Sequence, residues 1–290
     1  MLLRKFSVTD LEAIKKIDSF YATQIKYHKD IKEENILTVI NDSNELIGIA
    51  FLKLDRNYPA KGKQLFNFSI LLKESLPDDI EVKGMLIDGL IKRLYESKET
   101  IPEKKLCLRI CCETDQIEDM QFFLEKGFAL NSVVPVLKYD LLQETKHYDI
   151  PSNVIIKEYS FTKEGIKKYI NADLIASGIP ESEADIKFKT GDPSFKCFVA
   201  TCNKEVVGAI SVWNITEQRA ATENIFVIPS FRRKNIAREL IATAFDELKR
   251  RGKDIATLSM SGTNVSAMKL YLSCGYILYY NLIEMVYDSG

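Results

Sequence analysis

The sequence predicts an α/β (α+β) protein of two tandem domains, each a mixed, largely antiparallel sheet flanked by helices. Three observations carry that expectation: a colinear internal repeat, the same order of strand-like and helix-like segments in both copies, and a composition of ordinary globular balance. Apolar residues make up 46% of the 290, charged residues 28%, and the formal net charge is −1. A near-neutral total gives no overall field toward polyanions, so neither nucleic acid nor a membrane is expected as a partner.

The repeat is read from spaced matches. Met120, Leu124 and Gly127 recur as Met268, Leu272 and Gly275, each 148 positions later, and Lys138-Tyr139-Asp140 meets Val286-Tyr287-Asp288 at the same spacing. Upstream, Glu45-Leu46-Ile47-Gly48 matches Glu205-Val206-Val207-Gly208, and Phe6-Ser7-Val8-Thr9 matches Tyr159-Ser160-Phe161-Thr162, with indels changing the offset. Each match is weak alone. Their shared order points to duplication of a unit of roughly 140 residues. The polar stretch where the copies join reads as linker, which divides the chain into residues 1–144, a linker at 145–153, and residues 154–290.

The elements of the second copy follow in order. Val154–Lys157 reads as a short strand and Gly165–Ala176 as a helix. Cys197–Thr201 and Val206–Val212 form a hairpin across Cys202-Asn203-Lys204-Glu205. A strand ending at Val227 precedes a helix whose apolar positions Ile236, Leu240, Ile241, Ala244, Phe245 and Leu248 share one face. Ile255–Met260 is a buried strand, Val265–Ser273 a short helix stopped by Gly275, and Tyr276–Tyr287 the closing strands.

Other chemistry is sparse. The six cysteines have no metal-ligand spacing, and Cys111 and Cys112, adjacent in a strand, should face opposite sides. Two histidines, His28 and His147, exclude a histidine-rich metal site and leave no support for a nucleophile triad, so no metal is expected. The first residues lack an apolar signal core and no apolar run approaches a membrane span, which predicts a cytoplasmic protein, monomeric or homodimeric.

The most informative stretch is Ile225-Phe226-Val227-Ile228-Pro229-Ser230-Phe231-Arg232-Arg233-Lys234-Asn235-Ile236-Ala237-Arg238. A buried strand, a proline stop, a basic turn and a helix start form a physical recipe for holding a pyrophosphate. The run resembles the acyl-CoA-binding signature of the GNAT superfamily of N-acetyltransferases, Arg/Gln-x-x-Gly-x-Gly/Ala, with Arg232, Asn235 and Ala237 at the marked positions. Asparagine replaces the middle glycine, and it enters the left-handed region more readily than most residues. Asn264-Val265-Ser266-Ala267-Met268-Lys269-Leu270-Tyr271 resembles the family pattern Asn-x-x-Ala-x-x-x-Tyr. Asn264 is also placed to cap a helix, and Tyr271, two turns on, shares its face.

The resemblance implies tandem GNAT-like domains and acetyl-CoA as co-substrate. It implies direct transfer to an amine of a small molecule or peptide, with backbone groups of Phe226 and Val227 on the pantetheine arm. Asn264 would touch the same arm, Tyr271 would protonate the departing thiolate, and Val227 N–H would hold the oxyanion. Glu223 is a candidate base, on the face of Val227 if the strand is regular. The first copy departs from the pattern: Glu74, Asp78, Asp79 and Glu81 occupy its turn, Phe123 replaces the tyrosine and Gln116 the asparagine. It is expected to keep the fold without the chemistry. The rival readings are a transferase with a different acyl or aminoacyl donor and a CoA-responsive binding protein without turnover. Tyr271 counts against the last, since a pure binder has no use for a positioned phenol.

Overall fold

Local chemistry sets the element boundaries. The Thr162 hydroxyl accepts from Gly165 N at 3.1 Å, starting a helix that ends where Gly178 turns left-handed at φ 80°. In the same way Asn264 Oδ1 accepts from Ala267 N at 3.1 Å and opens the helix Val265–Ser273. The computed structural model describes residues 1–28, 30–55, 63–73, 79–100 and 104–290.

In chain order the first copy contains β1 (Leu2–Lys5), α1 (Leu11–Ile17), α2 (Ser19–Tyr27), β2 (Ile31–Ile40), β3 (Leu46–Asp55), β4 (Lys63–Leu72), α3 (Ile80–Thr100), β5 (Lys105–Glu113), α4 (Ile117–Glu125) and β6 (Ala129–Asp140). The second contains β7 (Val154–Glu158), α5 (Lys163–Ser177), α6 (Glu183–Lys189), β8 (Lys196–Cys202), β9 (Glu205–Asn214), β10 (Arg219–Val227), α7 (Ile236–Arg250), β11 (Ile255–Ser259), α8 (Val265–Ser273) and β12 (Ile277–Asp288). The closing strands expected over Tyr276–Tyr287 are one long strand, and α6 was not foreseen. Cys111 is exposed and Cys112 buried, as strand alternation requires. Among the described residues, no helix is long and apolar enough to cross a membrane.

The compact units are Met1–Asn131 with Ile283–Gly290, and Ser132–Leu282. They divide the chain differently from the repeat, because the closing strands are exchanged. In the first unit the sheet runs β1-β2-β3-β4-β5 with the end of β12 beside β5. α3 covers it with Leu86, Ile87, Leu90 and Leu94, all fully buried. Met285, near the chain's end, lies in that core.

In the second unit the order is β6-β11-β10-β9-β8-β7, parallel between β10 and β11 and antiparallel for β6 on β11 and from β10 through β7. α7 and α8 pack one face, where all six apolar positions expected on α7 are buried. α5 and α6 pack the other around Tyr169, Ile186 and Phe226.

The repeated Gly–Tyr pairs record the exchange. A Cβ on Gly275 would lie 3.0 Å from the ring of Tyr139, and one on Gly127 would lie 3.3 Å from Tyr287. Both glycines have positive φ, 93° and 87°, so each serves its turn and the close approach of the ring. Tyr139 and Tyr287 each pack on the glycine of the other repeat.

Residues 145–153 carry no regular structure but are strapped to α7. His147 Nδ1 lies 2.9 Å from Glu239 Oε1 and its Nε2 3.1 Å from Asp246 Oδ2, while Tyr148 N donates to Glu239 Oε2 at 2.7 Å. The hydrogen bond to Glu239 raises the His147 pKa above its usual value. A raised folded-state pKa stabilises fully below the unfolded value of about 6.5 and loses that stabilisation as pH climbs through the folded value. His147→Gln is therefore expected to lower the thermal midpoint at pH 6 and leave it unchanged at pH 9. Equal shifts at both would show that the charge on His147 does not matter.

Candidate active site

The second unit's sheet forks at β10. Its ladder with β11 ends at Ala221↔Thr257, whereas its ladder with β9 continues to Val227↔Gly208. Ile228 N donates to Val207 O at 2.9 Å, so those two residues are a hydrogen-bonded pair. Alternation along an antiparallel ladder then turns the backbone groups of Val227 and Ile225 away from β9, into the fork. Phe226, expected to offer its backbone to a ligand, has those groups on the β9 side, a consequence of the same alternation. Val227 O accepts from Arg232 Nε at 3.0 Å, which leaves its N–H as the group directed into the fork.

Beyond the fork lies the start of α7. Asn235 takes the left-handed conformation, φ 58°, as its replacement of glycine requires. Its side chain does not cap the helix: Oδ1 accepts from Arg238 Nη1 at 2.9 Å and Nδ2 donates to Asp149 O at 3.3 Å. The backbone N–H groups of Ile236, Ala237 and Arg238 thus open the helix without a side-chain cap, at the positive end of its dipole. Arg233 and Lys234 are exposed beside them, Lys234 over the Phe231 ring at 4.9 Å. Arg232 is used differently from the expectation of a phosphate ligand. Its Nη2 donates to Ala176 O at 2.7 Å, so its guanidinium braces Val227 and the end of α5. Arg238 Nε reaches Ser273 Oγ at 3.2 Å and ties α7 to α8.

On α8, Tyr271 is 8% exposed and packs edge-on to Tyr276 with ring centroids 5.8 Å apart. Its hydroxyl makes no hydrogen bond among the described residues, and burial, with a smaller push from Cys274, raises its pKa to about 12. Tyr276, wholly buried, spends its hydroxyl on Thr222 Oγ1 at 2.7 Å.

Glu223 does not share the face of Val227, because β10 is not regular. Glu223 pairs with Ser211 and Phe226 with Ala209, so a bulge at Asn224 and Ile225 puts Glu223 on the Phe226 side. There Lys189 Nζ lies 2.8 Å from Glu223 Oε2 and 2.7 Å from Glu181 Oε1. Burial opposes the charge on Lys189, but the two carboxylates outweigh it and raise its pKa; burial likewise raises that of Glu181. Asp173, Tyr169 and Asn224 complete this buried network. Sequence reading missed all three, and the positive φ of Asn224, 46°, had no signal beyond the residue type.

The first unit repeats the fork without the rest. β4 pairs with β5 from Lys63↔Lys105 to Asn67↔Arg109, and both strands then run on. Between them is a cavity of about 610 Å³ lined by Asn67, Ser69, Ile110, Gln116 and Phe123 among others. Phe123 packs edge-to-face with Phe68, Phe122 and Phe128, and Gln116 Oε1 accepts from Glu113 N rather than capping α4. Of the acidic turn, Glu74 and Asp78 lie outside the described residues, while Asp79 Oδ1 accepts from Val82 N at 2.9 Å and starts α3.

Residues 164–276 match the family model described as acetyltransferase (GNAT) family. No curated protein sequence matches the chain. Among solved structures, a GCN5-related N-acetyltransferase from Sphaerobacter thermophilus aligns over 99% of this chain and 95% of its own, with a TM-score of 0.68 at 13% identity. A tandem GNAT protein from the clavulanic acid biosynthesis pathway aligns over 100% and 98%, with a TM-score of 0.71 at 9% identity. A GCN5-related N-acetyltransferase from Kribbella flavida covers 94% and 96%, with a TM-score of 0.58 at 12% identity. At these identities the likeness is one of fold, and it spans both repeats. Residues 164–276 thus resemble the acetyltransferases of the GNAT family, in a chain whose whole length has the fold of tandem GNAT proteins.

Proposed function

We propose that the second unit moves the acetyl group of acetyl-CoA directly to a primary amine, and that the first unit is a non-catalytic copy. The fork carries this reading: Val227 N–H faces it, next to an uncapped helix start with two exposed cations. The α7 N–H groups, with Arg233 and Lys234, suit the pyrophosphate, and the backbone of Ile225 and Val227 suits the amides of the pantetheine arm. The amine attacks the thioester carbonyl, Val227 N–H stabilises the oxygen that gains charge, and the sulfur departs beside Tyr271.

Tyr271 stays protonated at any physiological pH. With its pKa near 12, full transfer to a thiolate of reference pKa about 8.5 would run uphill by about 5 kcal/mol, so its first service is a hydrogen bond to the sulfur. On the opposite face Asp173, Glu181 and Glu223 outnumber Lys189, a balance that favours a cationic acceptor. Glu223 keeps 34% side-chain exposure and is the candidate to take the amine's proton through water.

Full-length protein should consume acetyl-CoA when screened against amines, amino sugars, polyamines and peptide N-termini, and acetyl-CoA should raise its thermal midpoint. No turnover on any acceptor together with no midpoint shift would end the reading. Tyr271→Phe removes a hydroxyl that makes no hydrogen bond among the described residues, so its stability should hold while kcat falls by about 10²-fold or more at unchanged acetyl-CoA KM. An unchanged kcat would remove Tyr271 from the reaction.

A further inference from the structure

The position of Val227 N–H depends on an extra residue in β10. Asn224 and Ile225 together oppose the single residue Ile210, between the pairs Glu223↔Ser211 and Phe226↔Ala209. A one-residue change of register moves every later side chain and backbone group to the other side of a strand. Without the bulge, Val227 N–H would point at β9 instead of into the fork, and Phe226 would leave the packing around Tyr169.

Asn224 holds that bulge from two directions. Its backbone takes φ 46°, a conformation asparagine tolerates better than most non-glycine residues. Its Nδ2 lies 2.7 Å from Tyr169 Oη, 3.0 Å from Glu181 Oε2 and 3.3 Å from Asp173 Oδ2. Those three residues are 0%, 8% and 2% exposed, so the acceptors cannot simply turn to water. They are themselves fixed: Glu181 N donates to Asp173 Oδ2 at 2.8 Å, and Lys189 pairs with Glu181.

We propose that Asn224, anchored by Tyr169, Asp173 and Glu181, is a positioning residue for acetyl transfer: it keeps the extra residue in β10 and so aims Val227 N–H at the reacting carbonyl. The inference rests on the acetyl-transfer reading above and adds to it the residue that sets the donor's direction.

The test uses full-length Asn224→Val, Asn224→Gly, Tyr169→Phe and the double variant Asn224→Gly/Tyr169→Phe, with kcat, acetyl-CoA KM and thermal midpoint measured for each. Valine opposes the left-handed backbone and removes the amide, so kcat should fall by about 10²-fold, the size of a lost oxyanion donor, with KM changed much less. Glycine restores the backbone freedom alone and should recover part of kcat. Tyr169→Phe should lower kcat modestly, and its effect should not add to that of Asn224→Gly, because both loosen one anchor. If the valine variant does not fold, the glycine and phenylalanine variants decide by the same criteria.

Folded variants with kcat intact, or with only the midpoint lowered, would overturn the proposal while the wild type still turns over. Independent, additive losses of kcat for Asn224→Gly and Tyr169→Phe would overturn it too. A wild type without turnover on any amine would overturn this proposal and the reading beneath it together.

Discussion

Tyr139→Ala is expected to cost the second compact unit about 3–5 kcal/mol, the usual loss for truncating a buried aromatic side chain. By sequence Tyr139 belongs to the first repeat, yet its ring stacks on Phe245 with centroids 3.8 Å apart and planes within 10°. It also tilts against Tyr276 at 5.9 Å, covers Gly275, and is 4% exposed. Hydrogen exchange reads the outcome segment by segment. Protection should fall in α7 and β11 and persist in α3. Tyr287→Ala should do the reverse, since its ring packs on Phe128 and Gly127 of the first unit. If Tyr139→Ala loosened α3 and spared α7, the exchange of closing strands would be wrong.

Alkaline pH should unfold the second unit steeply. Burial raises the pKa of Tyr169, Tyr271 and Tyr276, that of Tyr271 to about 12. In the unfolded chain each ionises near pH 10. Above that value the unfolded state releases protons that the native state keeps, so stability falls as pH rises. Each phenol removes about 1.4 kcal/mol per pH unit, and the three together about 4. The urea midpoint should stay flat below pH about 9 and drop sharply above 10, with tyrosinate absorbance appearing at the same pH as loss of helix. Tyrosinate absorbance that rises while the fold remains would show that these hydroxyls are open to solvent.

Much of the candidate site was legible because its signals are local. The bounds of α8, the Asn264 cap and the buried face of α7 depend on residues a few positions apart, within reach of capping and periodicity. The left-handed Asn235 followed from the residue type and from the glycine it replaces in the signature. Glu223 was misplaced because face assignment by counting assumes a regular strand, and one bulge reverses it. Arg232 looked like an anion ligand by charge, but its acceptors, Val227 O and Ala176 O, come from two other segments. Neither partner can be read from the basic turn itself.

The sequence alone determined that the fold occurs twice and that the second copy carries the basic turn, the asparagine cap and the tyrosine, because repeats and short motifs are properties of one strand of text. Tertiary structure decided which repeat each closing strand completes, where β10 leaves β11, and which side Glu223 and Val227 face. The physical reason is that β6 and β12 descend from one duplicated segment, with the same tyrosine at the same register. The shared pattern does not say which core each strand fills, and only the packed chain shows it.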